Sequence, residues 1–556
     1  MAKATTPDLV FVPLGGVGEI GMNFALYGYG PAKAREWIII DVGVTFPDAS
    51  LPGVDLVLPD TRFIEENLDT LRGIVITHAH EDHYGALLDI WPKLKAPVWM
   101  TPFSAGLLEA KRQGEQGAPK IPVTIYRAGE KFAVGPFEIE AIPVAHSIPE
   151  PMSLAITTPA GTVIHTGDWK IDPAPTIGPM TDEARFRAYG DKGVLALVCD
   201  STNAMREGDS PSEQAVGEGL KGVIQKAVGR VAVTTFSSNV GRIVSIAKAA
   251  RDAGRQCLVL GRSLKRVIDV AGELGYMDGL PEFIGEEDYG FIPRENLVII
   301  CTGSQGEPLA ALAKLSRGEM KAVALTAGDT VVFSSRTIPG NEKAILAIKN
   351  GLIDLGMKII EDGDALVHVS GHPRRSELKQ MYSWVRPQIG VPVHGEAAHL
   401  AAQGSLMAMS GIGQVAQVRD GDMLRLAPGP ATIIDQVPFG RAYKDGRLIG
   451  TEQAMGIKDR RKLSFAGHVA INVVLDEKYE LAGDPDLVAI GVADADARGE
   501  TLEDLMLDAA IGAVDSIPRQ RRKDLDMVQE AVRRAVRGAA NEAWGKKPVV
   551  TVFVTR

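Results

Sequence analysis

The densest chemistry in the chain lies at Thr77-His78-Ala79-His80-Glu81-Asp82-His83, where three histidines and an aspartate fall within six residues. Imidazole nitrogens and carboxylate oxygens are the ligands of zinc and similar divalent ions. The HxHxDH spacing puts two histidines on one side of an extended turn and an Asp/His pair on the other. That is enough to begin two metal sites, and a polar turn satisfied within itself does not call for so dense a cluster. His146 follows a strand-like run, Phe137 to Val144; Asp168 follows Thr162 to Thr166; His394 ends Val391 to Val393. Each closes a strand, where a rigid scaffold can present it to a shared cleft.

A decoy sits upstream. Gly16-Val17-Gly18-Glu19-Ile20-Gly21 matches GxGxxG, follows a strand and has Asp41 twenty residues on, which mimics a dinucleotide fingerprint. The context fails, because Asn23 to Tyr29 reads as a strand and not as a helix. Two strands joined by a glycine-rich turn account for the segment without a cofactor.

The elements that must position these residues change character along the chain. The first two hundred residues read as short strands between Gly/Pro turns, clearest at Leu9 to Leu14, Met22 to Tyr29, Glu36 to Asp41, Gly73 to Thr77, Pro97 to Met100, Phe137 to Pro143 and Thr162 to Thr166. Helical runs follow His83 and Thr101. From about 215, near-continuous apolar strands (Val231 to Thr235, Gln256 to Leu260, Leu297 to Cys301, Thr330 to Ser334) alternate with helical patterns such as Val240 to Ala253. Repeated strand–loop–helix units predict a parallel sheet covered on both faces, with ligands at the carboxyl ends of its strands. Beyond Thr451, strands near Ala470–Val474, Leu487–Val492 and Pro548–Val554 and helices over Leu502–Ser516 and Leu525–Trp544 predict a small α+β unit, with Val437 to Met455 as the connection.

At 556 residues the chain is long enough for two or three domains, and 45% apolar with 23% charged residues is a soluble globular balance. No apolar run reaches membrane-spanning length, and Met1 to Gly16 does not read as a signal peptide, so the expected compartment is the cytoplasm, with no membrane partner. Cys199, Cys257 and Cys301 are dispersed in strand-like runs without a CxxC pair, as buried structural thiols would be. The net charge of −10 requires any nucleic-acid enzyme to gather its cations locally, because phosphate responds to local potential. Lys170, Arg242, Arg262, Lys265, Arg266, Arg374 and Arg375 are the candidates for such a channel.

The HAHEDH motif, His146, Asp168 and a strand-ending Asp41 resemble the metallo-β-lactamase superfamily. Asp200 in Cys199-Asp200-Ser201-Thr202-Asn203, the segment His368-Val369-Ser370-Gly371-His372, and His394 in Pro392-Val393-His394-Gly395-Glu396 resemble motifs A, B and C of its β-CASP nucleic-acid-processing branch. The opening Pro13 to Asn23 and the separate carboxy-terminal unit are similar to the ribonuclease J family, and the resemblance covers essentially the whole chain. It implies an α/β protein: a metallo-β-lactamase αββα sandwich over 1–215 and, with a linker, 372–450. A β-CASP parallel-sheet domain is inserted at 216–371, and an α+β oligomerisation domain occupies 451–556.

The resemblance further implies two divalent ions per subunit, zinc with manganese as the alternative. One would be held by His78, His80 and His146 and the other by Asp82, His83 and His394, with Asp168 bridging and Asp41 behind them orienting ligands. Ions roughly 3.5–4 Å apart can activate a shared water and clamp a phosphodiester. Asp200 and His372 would transfer protons as a donor–acceptor pair, without indication of which is which. His368, Val369, Ser370, Gly371 and His372, with Ser237, Ser238 and Asn239, would hold RNA phosphates, and both loops lead into helices whose free N–H groups favour anions. The expected activity is 5′-to-3′ exonucleolysis favouring 5′-monophosphate single-stranded RNA, with endonuclease activity, in mRNA decay and rRNA maturation. The expected assembly is a homodimer or homotetramer through the carboxy-terminal domain, with other RNA-decay proteins as further partners. A lactonase or thioesterase is disfavoured by the inserted sheet, a silent scaffold by the intact ligand set, and a DNA-repair nuclease by histidine at motif C.

Overall fold

The computed structural model describes residues 6–338 and 340–556. Two sheets face each other in the first body. One runs, in spatial order, Thr432–Gln436, Asp422–Ala427, Asp8–Gly15, Phe24–Gly30, Glu36–Ile40, Leu71–Val75, Val98–Met100 and Val123–Ile125. The other runs Gln414–Val415, Ile389–Val393, Ala196–Asp200, Gly161–His165, Met152–Thr158, Phe137–Pro143 and Lys131–Val134. Alternate side chains of both sheets interlock in one core, with Phe11, Tyr27 and Ile40 meeting Leu154, Val163 and Val198. The second sheet's outer face carries helices whose Phe186, Met381, Trp384 and Leu406 pack over Ile164 and Leu197. This is an αββα sandwich with parallel strands at its heart: Ala196–Asp200 pairs with both Gly161–His165 and Ile389–Val393.

Between those last two strands the chain builds a five-stranded, all-parallel sheet, ordered Gln256–Leu260, Leu297–Cys301, Val231–Thr234, Thr330–Phe333, Lys358–Ile360. The strands are apolar on both sides, and separate buried clusters cover the two faces, as a sheet flanked by crossover helices requires. Cys199, Cys257 and Cys301 are free and buried in strands.

The described residues form two compact units, 6–45 with 58–338 and 340–440, and 46–57 with 441–556. The second unit holds the expected α+β fold: strand His468–Val474 lies between Asp486–Ile490, antiparallel, and Val549–Thr555, parallel, and one sheet face packs on helices Leu502–Ser516 and Leu525–Trp544. The segment read as a bare connection is structured. Arg441–Asp445 and Leu448–Gly450 form a hairpin, and helix Ile457–Ala466 follows. The hairpin and this helix grip 46–57 through Asp55 N to Lys444 O (2.8 Å), Arg460 Nη1 to Gly53 O (3.1 Å) and Arg461 Nε to Ser50 O (2.6 Å). Those partners lie some four hundred positions away, and local pattern cannot carry such pairings. Among the described residues no helix is long and apolar enough to cross a membrane.

Candidate metal centre

The histidine-rich motif follows strand Leu71–Val75 as extended chain, then turns into a short helix, Glu81–Tyr84, capped by His80. The helix begins inside the motif, earlier than the pattern after His83 suggested, and this separates the motif's two halves: His78 and His80 precede it, while Asp82 and His83 ride its first turn. Behind them, Asp41 leaves its strand in the left-handed region (φ 64°). Its carboxylate accepts hydrogen bonds from Thr77 N (2.7 Å), Thr77 Oγ1 (2.8 Å) and His83 Nδ1 (2.7 Å). A non-glycine residue pays about 1–3 kcal/mol for such a backbone, and His394, also left-handed at φ 52°, pays it as well. The glycine-rich turn that mimics a fingerprint has its work here: Gly16 O accepts from His394 N at 2.7 Å and Gly18 N donates to Gly395 O at 2.9 Å.

The ligand atoms of His78, His80, His146 and Asp168 converge within 4.8 Å of one another, and so do those of Asp82, His83, Asp168 and His394. Asp168 stands in both groups. Its Oδ2 is 3.3 Å from His83 Nε2, 3.5 Å from His146 Nε2 and 3.6 Å from His78 Nε2, and its Oδ1 is 3.6 Å from His394 Nε2. The far ring nitrogens are spent elsewhere. His83 Nδ1 donates to Asp41, His146 Nδ1 to Gly371 O (2.7 Å) and His394 Nδ1 to Asn23 Oδ1 (3.0 Å), while His78 Nδ1 meets Thr77 Oγ1 (3.0 Å). These bonds turn the Nε2 edges inward, and His83 Nε2 also meets Asn23 Nδ2 at 3.1 Å. His80 Nδ1 sits 3.1 Å from His78 Nε2 and 3.0 Å from His146 Nε2, and its one proton can bridge only one of the two contacts.

Burial, then the neighbouring imidazoles, holds His78 and His146 well below the usual histidine range; burial likewise brings His80 to about 4. All three are therefore neutral and able to ligate. For His83 burial opposes the proton, but the carboxylates of Asp168, Asp82 and Asp41 outweigh it and raise the pKa well above that range. Among the described residues, Asp168 Oδ1 and His394 Nε2 are buried acceptors with no hydrogen-bond partner. Acceptors left bare in this way, facing lone pairs that point at one another, fit a cation between them.

Asp200 and His372 meet beside this cluster. His372 Nδ1 lies 2.7 Å from Asp200 Oδ2 and 3.9 Å from Asp168 Oδ2. Burial disfavours a charged His372, yet Asp200 and Asp168 push its pKa up to about 9. Asn203, which drew no attention in the sequence, ties the loop down: its Nδ2 donates to Ser370 Oγ (2.9 Å) and to His372 O (3.0 Å). Gly371, expected to face RNA, instead spends its carbonyl on His146.

The two expected anion loops differ in detail from the reading above. Ser237 and Ser238 are half-buried and precede helix Val240–Asp252, but Asn239 is buried and its Oδ1 caps that helix through Arg242 N (2.9 Å). Residues 370–372 do not open a helix. The helix is Arg375–Val385, and its first turn is occupied by the buried Glu377, which accepts from Arg374 N at 2.9 Å. His368 is half-buried, and desolvation, then Arg242 and Arg336, hold its pKa well below the usual histidine range. Two members of the expected cation channel drop out, since Arg242 and Lys170 are buried in ion pairs with Glu213 and Asp172. Arg262, Lys265 and Arg266 are exposed, and Arg374 and Arg375 are half-exposed.

Residues 36–186 match the family described as Beta-lactamase superfamily domain, 228–352 Ribonuclease J, beta-CASP domain, 364–415 Zn-dependent metallo-hydrolase RNA specificity domain, and 455–556 Ribonuclease J C-terminal domain. The chain is similar to Ribonuclease J of Sinorhizobium meliloti, 63% identical over 553 residues, covering 100% of this chain and 98% of that one. It is also similar to Ribonuclease J of Mycolicibacterium smegmatis (37%, covering 97% and 96%) and of Helicobacter pylori (35%, covering 84% and 68%). A protein of unknown function from Enterococcus faecalis shares the fold with a TM-score of 0.51 at 14% identity, over 75% of this chain and 100% of that chain.

Proposed function

Because the chain belongs to the ribonuclease J family, we propose that this metal-dependent ribonuclease degrades single-stranded RNA from its 5′ end with two ions per subunit. His78, His80 and His146 hold one ion, Asp82, His83 and His394 the other, and Asp168 serves both. When bound, two such ions lower the pKa of a shared water and neutralise charge on a phosphodiester. Zinc suits the histidine-rich half, and the carboxylates admit manganese. The observation that carries the reading is the pair of buried bare acceptors, Asp168 Oδ1 and His394 Nε2, among neutral inward-facing imidazoles.

The remaining roles belong to the chain's own groups. Asp41, Gly371 O and Asn23 keep three imidazoles in the tautomer that presents Nε2. Asp200 accepts from His372 Nδ1, which leaves His372 Nε2 to hand a proton to the departing oxygen. His368, Ser370 and the half-buried Ser237 and Ser238 would hold a terminal phosphate, and size and unpaired charge would exclude a triphosphate from the same groups. End binding then sets the nearby phosphodiester at the metals, a positioning effect worth several orders of magnitude in rate. The domain division at 215, 371 and 450 follows the same reading, with internal cleavage as a second mode, mRNA decay and rRNA maturation as the setting, and the cytoplasm as the compartment. The carboxy-terminal sheet bears on self-association: its outer face exposes Val488, Ile490 and Phe553, an apolar surface that a second subunit would cover.

Matched RNAs bearing triphosphate, monophosphate or hydroxyl 5′ ends, with a DNA control, test the function. Mononucleotides released fastest from the monophosphate RNA are expected. Equal rates with internal fragments would overturn the exonuclease reading, and loss of activity on all RNAs with retained DNA cleavage would overturn the ribonuclease itself.

A further inference from the structure

Five buried charges outside the metal cluster are linked, directly or through one another, to the short segment 170–172. Lys170, Asp172, Glu213, Arg242 and Glu377 are each less than a tenth exposed, and Arg242 is wholly enclosed. Lys170 and Asp172 follow Asp168 directly, and their own pair is 2.7 Å long. Asp172 also accepts from Ala174 N and, through Oδ2, from Glu213 N at 2.9 Å each. Glu213 then receives the fork of Arg242, Nε to Oε1 at 2.5 Å and Nη2 to Oε2 at 3.0 Å. The last nitrogen, Nη1, donates to Ser334 O (3.1 Å), Ser334 Oγ (2.6 Å) and Val367 O (3.2 Å), and stands 3.5 Å from His368 Nδ1. The far end of the 367–374 loop returns to the same segment: Glu377 accepts from Ile171 N (2.8 Å) and Arg374 N (2.9 Å).

Burying ions is a poor way to gain stability, because desolvation offsets the attraction and apolar side chains of like volume serve as well. What the charges supply is direction. A guanidinium presents its donors in a fixed plane, so Arg242 sets the distance between Glu213 and Val367 rigidly. We propose that the chain Lys170–Asp172–Glu213–Arg242 is a strut that positions the 367–370 stretch beside the metal centre, making Arg242 a positioning residue for RNA. The inference rests on the reading above that this loop holds an RNA phosphate. It gives Arg242, a surface cation by its sequence context, a task that no solvated lysine could perform.

Three full-length variants test it: Arg242→Lys, the apolar replacement Arg242→Met with Glu213→Met, which leaves no charge stranded, and Ser370→Ala in the loop itself. The readouts are metal content, thermal unfolding, hydrolysis of bis(p-nitrophenyl) phosphate, and kcat and KM on 5′-monophosphate RNA. The small diester needs the metals but no phosphate-holding residue, and its p-nitrophenolate leaves without a proton from His372; Gly371 and His372 keep their own anchors on His146, Asp200 and Asn203. The double variant should unfold as one cooperative unit and keep metals and small-diester hydrolysis within about twofold, while RNA kcat/KM falls roughly 10- to 100-fold, chiefly through KM. Arg242→Lys, which keeps the charge and loses the fork, should restore little of it. Parallel loss of RNA and small-diester hydrolysis would overturn the strut, since the damage would then be to the metal centre, and so would RNA cleavage at the wild-type KM. If Ser370→Ala raises KM for RNA while the Arg242 variants do not, the strut alone fails. If Ser370→Ala leaves KM unchanged, the loop does not hold RNA and the underlying reading fails with it.

Discussion

Replacing Gly371 by alanine should cripple the enzyme without touching a ligand. The position is not strained for an L-residue, so the effect comes from the space around it. A Cβ there would stand 2.5 Å from His146 Nδ1, 2.6 Å from its Cε1 and 2.8 Å from Ser147 Oγ. Carbon needs about 3.5 Å, so the imidazole must retreat by about 1 Å. It cannot simply rotate away, because its Nδ1 is bonded to the carbonyl of the same glycine at 2.7 Å and its ring stands edge-on to those of His78, His80 and His372. Ligand distances tolerate only about 0.2 Å. A shift several times larger should weaken metal binding roughly 10- to 100-fold, about 1.4–2.7 kcal/mol, and a 1 Å misplacement costs rate on the order of 10². The assay is metal content after dialysis against a graded chelator, with RNA hydrolysis and thermal unfolding on the same samples. Adding Ser147→Gly to Gly371→Ala relieves the hydroxyl contact but not the ring contact, and should not restore activity. A Gly371→Ala enzyme that holds metal and cleaves RNA within twofold of wild type would refute the reasoning.

Further outcomes follow from the same geometry. His80→Ala and Asp82→Ala should each abolish hydrolysis, a loss of several kcal/mol in the transition state, with the fold retained; near-normal activity in either metal-depleted variant would remove the two-ion assignment. The metal-free protein should release protons on loading, because His83 carries a raised pKa and a ligating imidazole must be neutral. Affinity should therefore rise with pH across the neutral range, and calorimetry in buffers of differing ionisation enthalpy reads the protons directly; a pH-independent affinity would contradict it. Removing the carboxy-terminal sheet should leave metals and small-diester hydrolysis intact and reduce the particle size by light scattering. The cut belongs after Ala466 and not after Met455, since the helix Ile457–Ala466 is needed to hold 46–57; an unchanged oligomer would speak against self-association through that sheet.

The ligand candidates were legible because metal chemistry concentrates rare residue types at strand ends, and a strand end shows in the sequence as an apolar run that stops. His78, Asp168 and His394 are of this kind. The helices Leu502–Ser516 and Leu525–Trp544 were legible to the residue for a related reason, as long amphipathic patterns with their own caps at Thr501 and Asp524. What escaped was whatever depends on a partner far along the chain. Gly371 reads as one more residue for RNA phosphate until His146 is beside it, 225 positions away. Asn23 reads as the start of a strand and Asn203 as the end of a motif, and only the fold shows their amides bonded to His394, Ser370 and His372. Arg242 read as a surface cation because sequence carries charge but not depth; Glu213, Ser334 and Val367, which enclose it, come from three separate elements.

The chain leaves the sandwich through Ala196–Asp200 and returns through Ile389–Val393, and these two strands lie side by side in register, Ala196 on Ile389 through Asp200 on Val393. Everything between them is therefore a closed loop whose mouth is stapled by a ladder. The long inserted segment pays its closure entropy once, at that ladder, and the host sandwich keeps its strand order whatever the insert does. Local opening of the five-stranded sheet need not fray the root, so amides in the two stapled strands should exchange with solvent on the timetable of the sandwich. Asp200 and His394, standing at the rim of this root, take their places from the sandwich, and the bonds from Glu213 to Asp172 and from Ile171 to Glu377 hold the near side of the insert to it.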